Sequence, residues 1–225
     1  MPRTVEGKPR AGGRPRRNNP RGQGERLREQ LIKAAGELLA ETGDAGRLSL
    51  RAVAARVGVA ATSVYLHFAD LDELKIAIVE RGFAELAAVR DAASAGIADP
   101  AEALVRRCQA YARFAVDQTG RYRLMFGPDL PAVLAYQAER SPGRDALDVL
   151  TEGIRRCQVA GAAPADGDPA RLATLVWTAL HGQVSLRIDR PSFPWPPLDE
   201  LVAETVRRLV GLRRDRSGRG ERAES

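Results

Sequence analysis

The sequence predicts an all-α protein, on three observations. Apolar residues recur at three- and four-residue spacing through most of the chain. Helix-start and helix-stop residues bracket those stretches. No stretch sustains the period-two alternation of a half-buried strand. The 225 residues, 44% hydrophobic and 28% charged, suit one large domain or two small ones with a packed core.

The first helix is expected from about Glu25 to Thr42, with Leu27, Leu31, Ala34, Ala35, Leu38 and Leu39 on one face and Gly43 suited to a left-handed cap. A short second helix, Leu50 to Val57, follows Ser49 as N-cap. A third begins near Ala61 and ends near His67. A long fourth runs from Leu71 to about Ala95, with Asp70 as N-cap and Gly82 inside it. Asp99-Pro100 reads as N-cap plus proline at the first helical position, opening a helix to about Gln118. Residues 119–143, interrupted by Gly120, Gly127, Pro128, Pro131, Pro142 and Gly143, read as short pieces. A helix follows from roughly Arg144 to Ala160. Asp168-Pro169 repeats the start signal for a helix to about Ile188, with Leu172, Leu175, Val176, Ala179 and Leu186 largely on one face. Pro191 to Pro197 holds four prolines and must be a loop. The last helix spans about Leu198 to Leu212, and the charged tail after it is expected to fray.

The formal net charge of +6 is concentrated at one end. Residues 1–24 hold seven bases and one acid in a Pro/Gly/Asn-rich arm nearly devoid of apolar side chains, and the remainder is neutral. Such an arm cannot bury enough surface to offset its ordering entropy, so it is expected to be disordered and to seek a polyanion. Within it, Gly13-Arg14-Pro15-Arg16 resembles the core of an AT-hook, in which Arg14 and Arg16 would enter an A·T-rich minor groove. A solvated tail is the alternative. No run approaches the ~18 apolar residues of a membrane span, and no apolar block follows the N-terminus, so a cytoplasmic protein with no membrane partner is expected. Cys108 and Cys157 are too few for a disulfide scaffold.

The stretch Leu50 to Phe68, LRAVAARVGVAATSVYLHF, has helix-turn-helix spacing. Gly58 sits where the chain must turn sharply. Ala54, four residues earlier, is small enough for a close helix crossing, and Val53, Val57, Val59 and Val64 supply the apolar contacts. Ala61-Thr62-Ser63 opens the second helix with short side chains that allow deep entry into a major groove.

These residues resemble the TetR family of bacterial transcriptional regulators over about residues 25–85. The preceding helix ends Glu41-Thr42-Gly43, the family motif Tyr-x-His-Phe stands here as Tyr65-Leu66-His67-Phe68, and Asp72-Glu73-Leu74 begins the connecting helix. The resemblance implies a three-helix DNA-binding domain at residues 25–70 and a helical effector-binding and dimerisation domain at 71–213, flanked by the arm (1–24) and a charged tail (214–225). It implies that Tyr65 and His67 touch phosphates, that Phe68 is core, and that Ala60, Ala61, Thr62 and Ser63 approach base edges and phosphates. It also implies that Ser49 and Arg51 contact phosphate. One departure is Leu71, where the family usually has lysine; the helix N-terminus there still offers free N–H groups to an anion. Residues 25–82 carry a net charge of −1, so a DNA-binding surface requires charges segregated by face or help from the arm.

In the C-terminal part, Trp177-Thr178-Ala179-Leu180-His181-Gly182 looks like the Trp-x-x-x-His-Gly signature of one family branch. Trp177 and His181 share a helix face; they line a cavity or form a packed pair. Tyr111, Phe114, Tyr122, Met125, Phe126, Leu130 and Tyr136 gather most of the aromatic and soft residues of this part, either as a pocket for a small effector or as plain core. The resemblance favours the pocket. The last two helices are expected to form a twofold homodimer that reads a palindromic operator in double-stranded DNA. The expected function is a repressor released when a small, mostly apolar or amphipathic effector binds. The alternative is an architectural or regulatory DNA-binding dimer without an effector. No enzyme chemistry, cofactor or metal is expected, because His67 and His181 are the only histidines and neither has a cysteine at metal spacing.

Overall fold

The structure is a computed structural model describing residues 23–127 and 142–213. The expectations for Arg14, Arg16 and the rest of the arm to residue 22, for Leu130 and Tyr136, and for the tail from residue 214 lie outside the described residues. The described residues form nine α-helices and no strand. They are α1 (Gln23–Thr42), α2 (Leu50–Val57), α3 (Ala61–Val64), α4 (Leu71–Ser94), α5 (Pro100–Asp117), α6 (Thr119–Phe126), α7 (Pro142–Val159), α8 (Pro169–Asp189) and α9 (Leu198–Val210), with a 3₁₀ turn at Ala45–Arg47.

The start signals read from the sequence act as caps. Ser49 Oγ accepts from the Ala52 N–H at 3.1 Å, and Asp70 from Glu73 at 2.8 Å. Asp99 accepts from Ala101 and Glu102, and Asp168 from Ala170. Each such cap is worth about 1 kcal/mol. Gly43 and Gly58 take the left-handed conformation at φ 63° and 78°, which ends α1 and swings the chain from α2 into α3.

Helices α1, α2 and α3 make a small head. Leu31, Leu39, Val53, Val64 and Phe68 form its fully buried centre, and the Arg28 guanidinium lies 5.1 Å over the Phe68 ring. Helix α4 leaves the head and packs along α5, which in turn carries α7, α8 and α9.

Three expectations need correction. The third helix ends at Val64, not near His67. The His67 and Phe68 N–H groups both donate to the Val64 carbonyl, and this tightening closes the helix after one turn. Second, the interrupted stretch after Gln118 contains a regular eight-residue helix, α6. Its first glycine is needed for contact: at Gly120 a side chain would run into the Leu39 carbonyl of α1. Third, the single apolar face read for the helix after Asp168 is two stripes. Ala173, Val176, Leu180 and Val184 point into the core, whereas Leu175 and Leu186 are 45% and 56% exposed.

Candidate nucleic-acid interface and interior cavity

On the head, two neighbouring residues decide the geometry. Val64 is fully buried and Tyr65 is 58% exposed, so the turn after α3 faces solvent while its root is fixed in the core. Ser49, Arg51, Ala60 and Thr62 are exposed, and Ala61, Ser63 and His67 are half-buried. These eight expected contact residues therefore lie at or near the surface of α2, α3 and the turn that follows. The Ala54 carbonyl accepts from both Gly58 and Val59, at 2.9 and 3.0 Å, which holds α2 and α3 in a tight corner.

The charges of the head are sorted by pairing. Arg56 bonds Glu41 through two nitrogens and lies 3.9 Å from Glu37, tying α2 back to α1. Arg81 pairs with Glu29 and Glu85. Arg51, at the N-terminal end of α2, is exposed and has no ion-pair partner among the described residues. Two of the nine acids in residues 25–82 are thus turned toward Arg56. The His67 ring lies next to Gly24, so α1 begins close to the same face. Leu66, 82% exposed, is an apolar residue in the middle of this polar surface that the motif reading passed over.

In the body, α4, α5, α6, α7 and α8 line a half-open cavity of about 690 Å³. Phe83 and Leu86 enter from α4, and Tyr111 and Cys108 from α5. Met125 and Phe126 come from α6, Leu147 and Leu150 from α7, and Trp177 and His181 from α8. Of the residues expected around a pocket, Tyr111, Met125, Phe126, Trp177 and His181 line this cavity. Phe114 is buried but not in its wall, and Tyr122 stands behind it.

Tyr122 is still part of the site's framework. Its hydroxyl lies 2.5 Å from His181 Nδ1 and 3.0 Å from the Tyr111 hydroxyl. Burial pushes the Tyr111 and Tyr122 hydroxyls above their ordinary range and holds the His181 imidazole below its own. The cluster is therefore neutral near pH 7. The Trp177 ring centroid lies 5.9 Å from that of His181. Both Cys108 and Cys157 are buried, with their thiols pushed up to about 12 and about 11, so neither is a reactive thiolate.

The wall of the cavity nearest the head is α6. Met125 packs against Gly82 of α4, and Gly120, five residues earlier, packs against α1. The Arg123 guanidinium donates to the Gly43 carbonyl at 3.3 Å, where α1 ends. A second space, of about 580 Å³, lies between Thr42–Ala45 and α8 and shares Phe126 and His181 with the first. No helix among the described residues is long and apolar enough to cross a membrane.

Comparison with known proteins yields two family models. Residues 31–78 match the model described as bacterial regulatory proteins, tetR family. Residues 104–210 match the model described as tetracyclin repressor-like, C-terminal domain. A curated relative, an uncharacterized HTH-type transcriptional regulator of Haemophilus influenzae, is 43% identical over 58 residues, which is 26% of this chain and 28% of the relative's length. Among solved structures, a protein of unknown function from Rhodococcus sp. RHA1 superposes with a TM-score of 0.70 at 26% identity, covering 89% of this chain and 99% of its own. A TetR-family transcriptional regulator from Thermus thermophilus superposes at 0.58 with 22% identity, covering 83% and 100%.

Proposed function

The chain belongs to the TetR family of transcriptional regulators, and from that premise we propose that it is a homodimeric repressor released from a palindromic operator when a small, amphipathic molecule fills the body cavity. The observation that carries the DNA-binding half is the split between buried Val64 and exposed Tyr65. It fixes the short side chains of Thr62 and Ser63 on the rim of a rigid corner, where they can reach base edges. Ser49, Arg51, Tyr65 and His67 then hold phosphates on either side. The arm from residue 1 to 24 supplies the positive charge that the head lacks, with Arg14 and Arg16 in the adjacent minor groove.

The apolar outer stripe of α8, Leu175 and Leu186, together with Leu209 on α9, supports a dimer through the last two helices. Gly182 in the same stretch of α8 meets nothing where a side chain would stand, so a partner helix can approach closely there. Two such helices from each subunit make a four-helix interface.

The effector route runs through α6. A ligand against Met125 and Phe126 moves α6, and α6 bears on α1 at Gly120 and on α4 at Gly82. Either contact changes the angle at which the head leaves α4 and so the spacing of the two recognition helices. A preference of a few kcal/mol for the wrong spacing lowers operator affinity by orders of magnitude. Selection of bound duplexes from a random pool tests the reading. It expects dyad-symmetric sites; recovered sites without symmetry would count against it.

A further inference from the structure

The cavity wall is mostly apolar; besides Tyr111, His181 and two threonines it carries Arg90 of α4 and Arg107 of α5, which come together at one level. Arg107 bonds Asp91, so α4 and α5 run antiparallel in a register that sets Arg90 and Arg107 side by side. Among the described residues Arg90 donates only to the Ala146 carbonyl, at 3.4 Å. The Nε atoms of both arginines are buried and have no partner among the described residues, so acceptors are scarce around them. The other charged residues of the wall are Arg144 and Asp148, which leaves it net positive.

Arginine does not escape such a place by losing its proton. Burial first, and the neighbouring Arg107 charge second, push the Arg90 guanidinium below its ordinary range. The fold therefore keeps two arginines together beside the cavity with one carboxylate, Asp91, close to them among the described residues. An anion between them would relieve the repulsion and supply the missing acceptors.

The opposite end of the cavity is different. Phe83 lies seven residues before Arg90 along α4, about 10 Å away at 1.5 Å per residue. There Phe83 and Phe126 meet edge to face at 5.4 Å, beside the neutral His181 and Tyr111. One end suits a charged head and the other an apolar body.

The geometry points to an effector with an oxyanion head, carboxylate or phosphate, bound by Arg90 and Arg107, and an apolar body reaching Phe83 and Phe126. This rests on the effector reading above and names the chemical class of the ligand.

Four ten-carbon probes test it by calorimetry on the full chain: decanoate, decyl phosphate, 1-decanol and decyltrimethylammonium. The expected result is that at least one anionic probe binds about tenfold or more tightly than the alcohol, and the two anions separate the carboxylate source from the phosphate source. Arg90→Gln and Arg107→Gln should each reduce that preference to about threefold or less. The comparison among probes needs no variant, so it stands even if a substitution disturbs folding. Equal binding of decanoate, decyl phosphate and decanol, or tightest binding of the cation, overturns the oxyanion head. If decanol then still releases operator DNA, the effector reading survives alone. Anion binding that leaves operator affinity unchanged supports the head and defeats the regulatory reading. Failure of all four probes to bind overturns both.

Discussion

The head (residues 23–70) and the body (71–213) use their interiors in opposite ways. The head closes its centre on Leu31, Leu39, Val53, Val64 and Phe68 and keeps its candidate contacts outside, on an exposed corner. The body leaves about 690 Å³ unfilled and turns Arg90, Arg107 and His181 toward that space. A recognition surface must be rigid and wet, so its supports are apolar and dense. A binding cavity must stay open and select among solutes, so it holds polar groups inside and carries the cost of burying them. The same chain meets both demands because α6 touches each region, with Met125 and Phe126 in the cavity wall and Gly120 against α1.

The contrast breaks most visibly at the recognition corner. Thr62→Glu combined with Ser63→Glu should reduce operator affinity about 100-fold or more in a gel-shift titration, since each lost base contact is worth about 1–3 kcal/mol. Thermal stability should move by no more than about 0.5 kcal/mol, because these side chains support nothing inside. A matching loss of stability would mean that the corner is part of the core after all.

The contact between the regions comes next. Gly120→Ala forces a methyl group into the Leu39 backbone, which cannot rotate away. The expected cost is about 1–3 kcal/mol in denaturant unfolding, with a parallel change in operator affinity. A neutral result would remove α6 as the link between cavity and head.

Filling the cavity should separate the two functions. Leu147→Trp is expected to abolish release by effector while keeping operator affinity within about twofold of the parent, since a ligand that cannot bind shifts no equilibrium. Loss of DNA binding in this variant would show that cavity and recognition corner are not separable.

Much of the head is legible in the residues alone. Its features are local: the Ser49 cap and the Gly58 turn follow from side-chain chemistry and positive φ, and the Tyr65–Phe68 motif, read by resemblance, lies in the same short segment. The short third helix is the exception there, because the carbonyl of Val64 takes two donors and ends the turn early, a backbone event that side-chain periodicity does not report. In the body, the helices are legible and the cavity only half so. Tyr111, Phe126, Trp177 and His181 stand out as rare residue types. Arg90 and Arg107 do not, because arginine is abundant in this chain and only the pairing of α4 with α5 brings these two together. Phe114 shows the reverse error: it shares helix and residue class with Tyr111 yet turns away from the space.

The smallest expected effect is a pH dependence. Burial holds His181 below its ordinary value of about 6.5. As pH falls through that value the unfolded chain takes up its proton first, so this stabilisation is complete above about pH 6.5 and is lost progressively below it. His181→Gln should flatten the acid side of the stability curve between about pH 6.5 and 5 in melts recorded across that range. A slope unchanged by the substitution would place the acid sensitivity elsewhere.

The most direct test of the central claim is operator selection with the parent chain and the Thr62→Glu, Ser63→Glu variant side by side, followed by titration of the recovered duplex with effector probes. Dyad-symmetric sites are expected for the parent, none for the variant, and loss of the parent's binding when the cavity is occupied. Symmetric sites recovered equally by both proteins, or parent binding indifferent to a cavity-bound ligand, would contradict it.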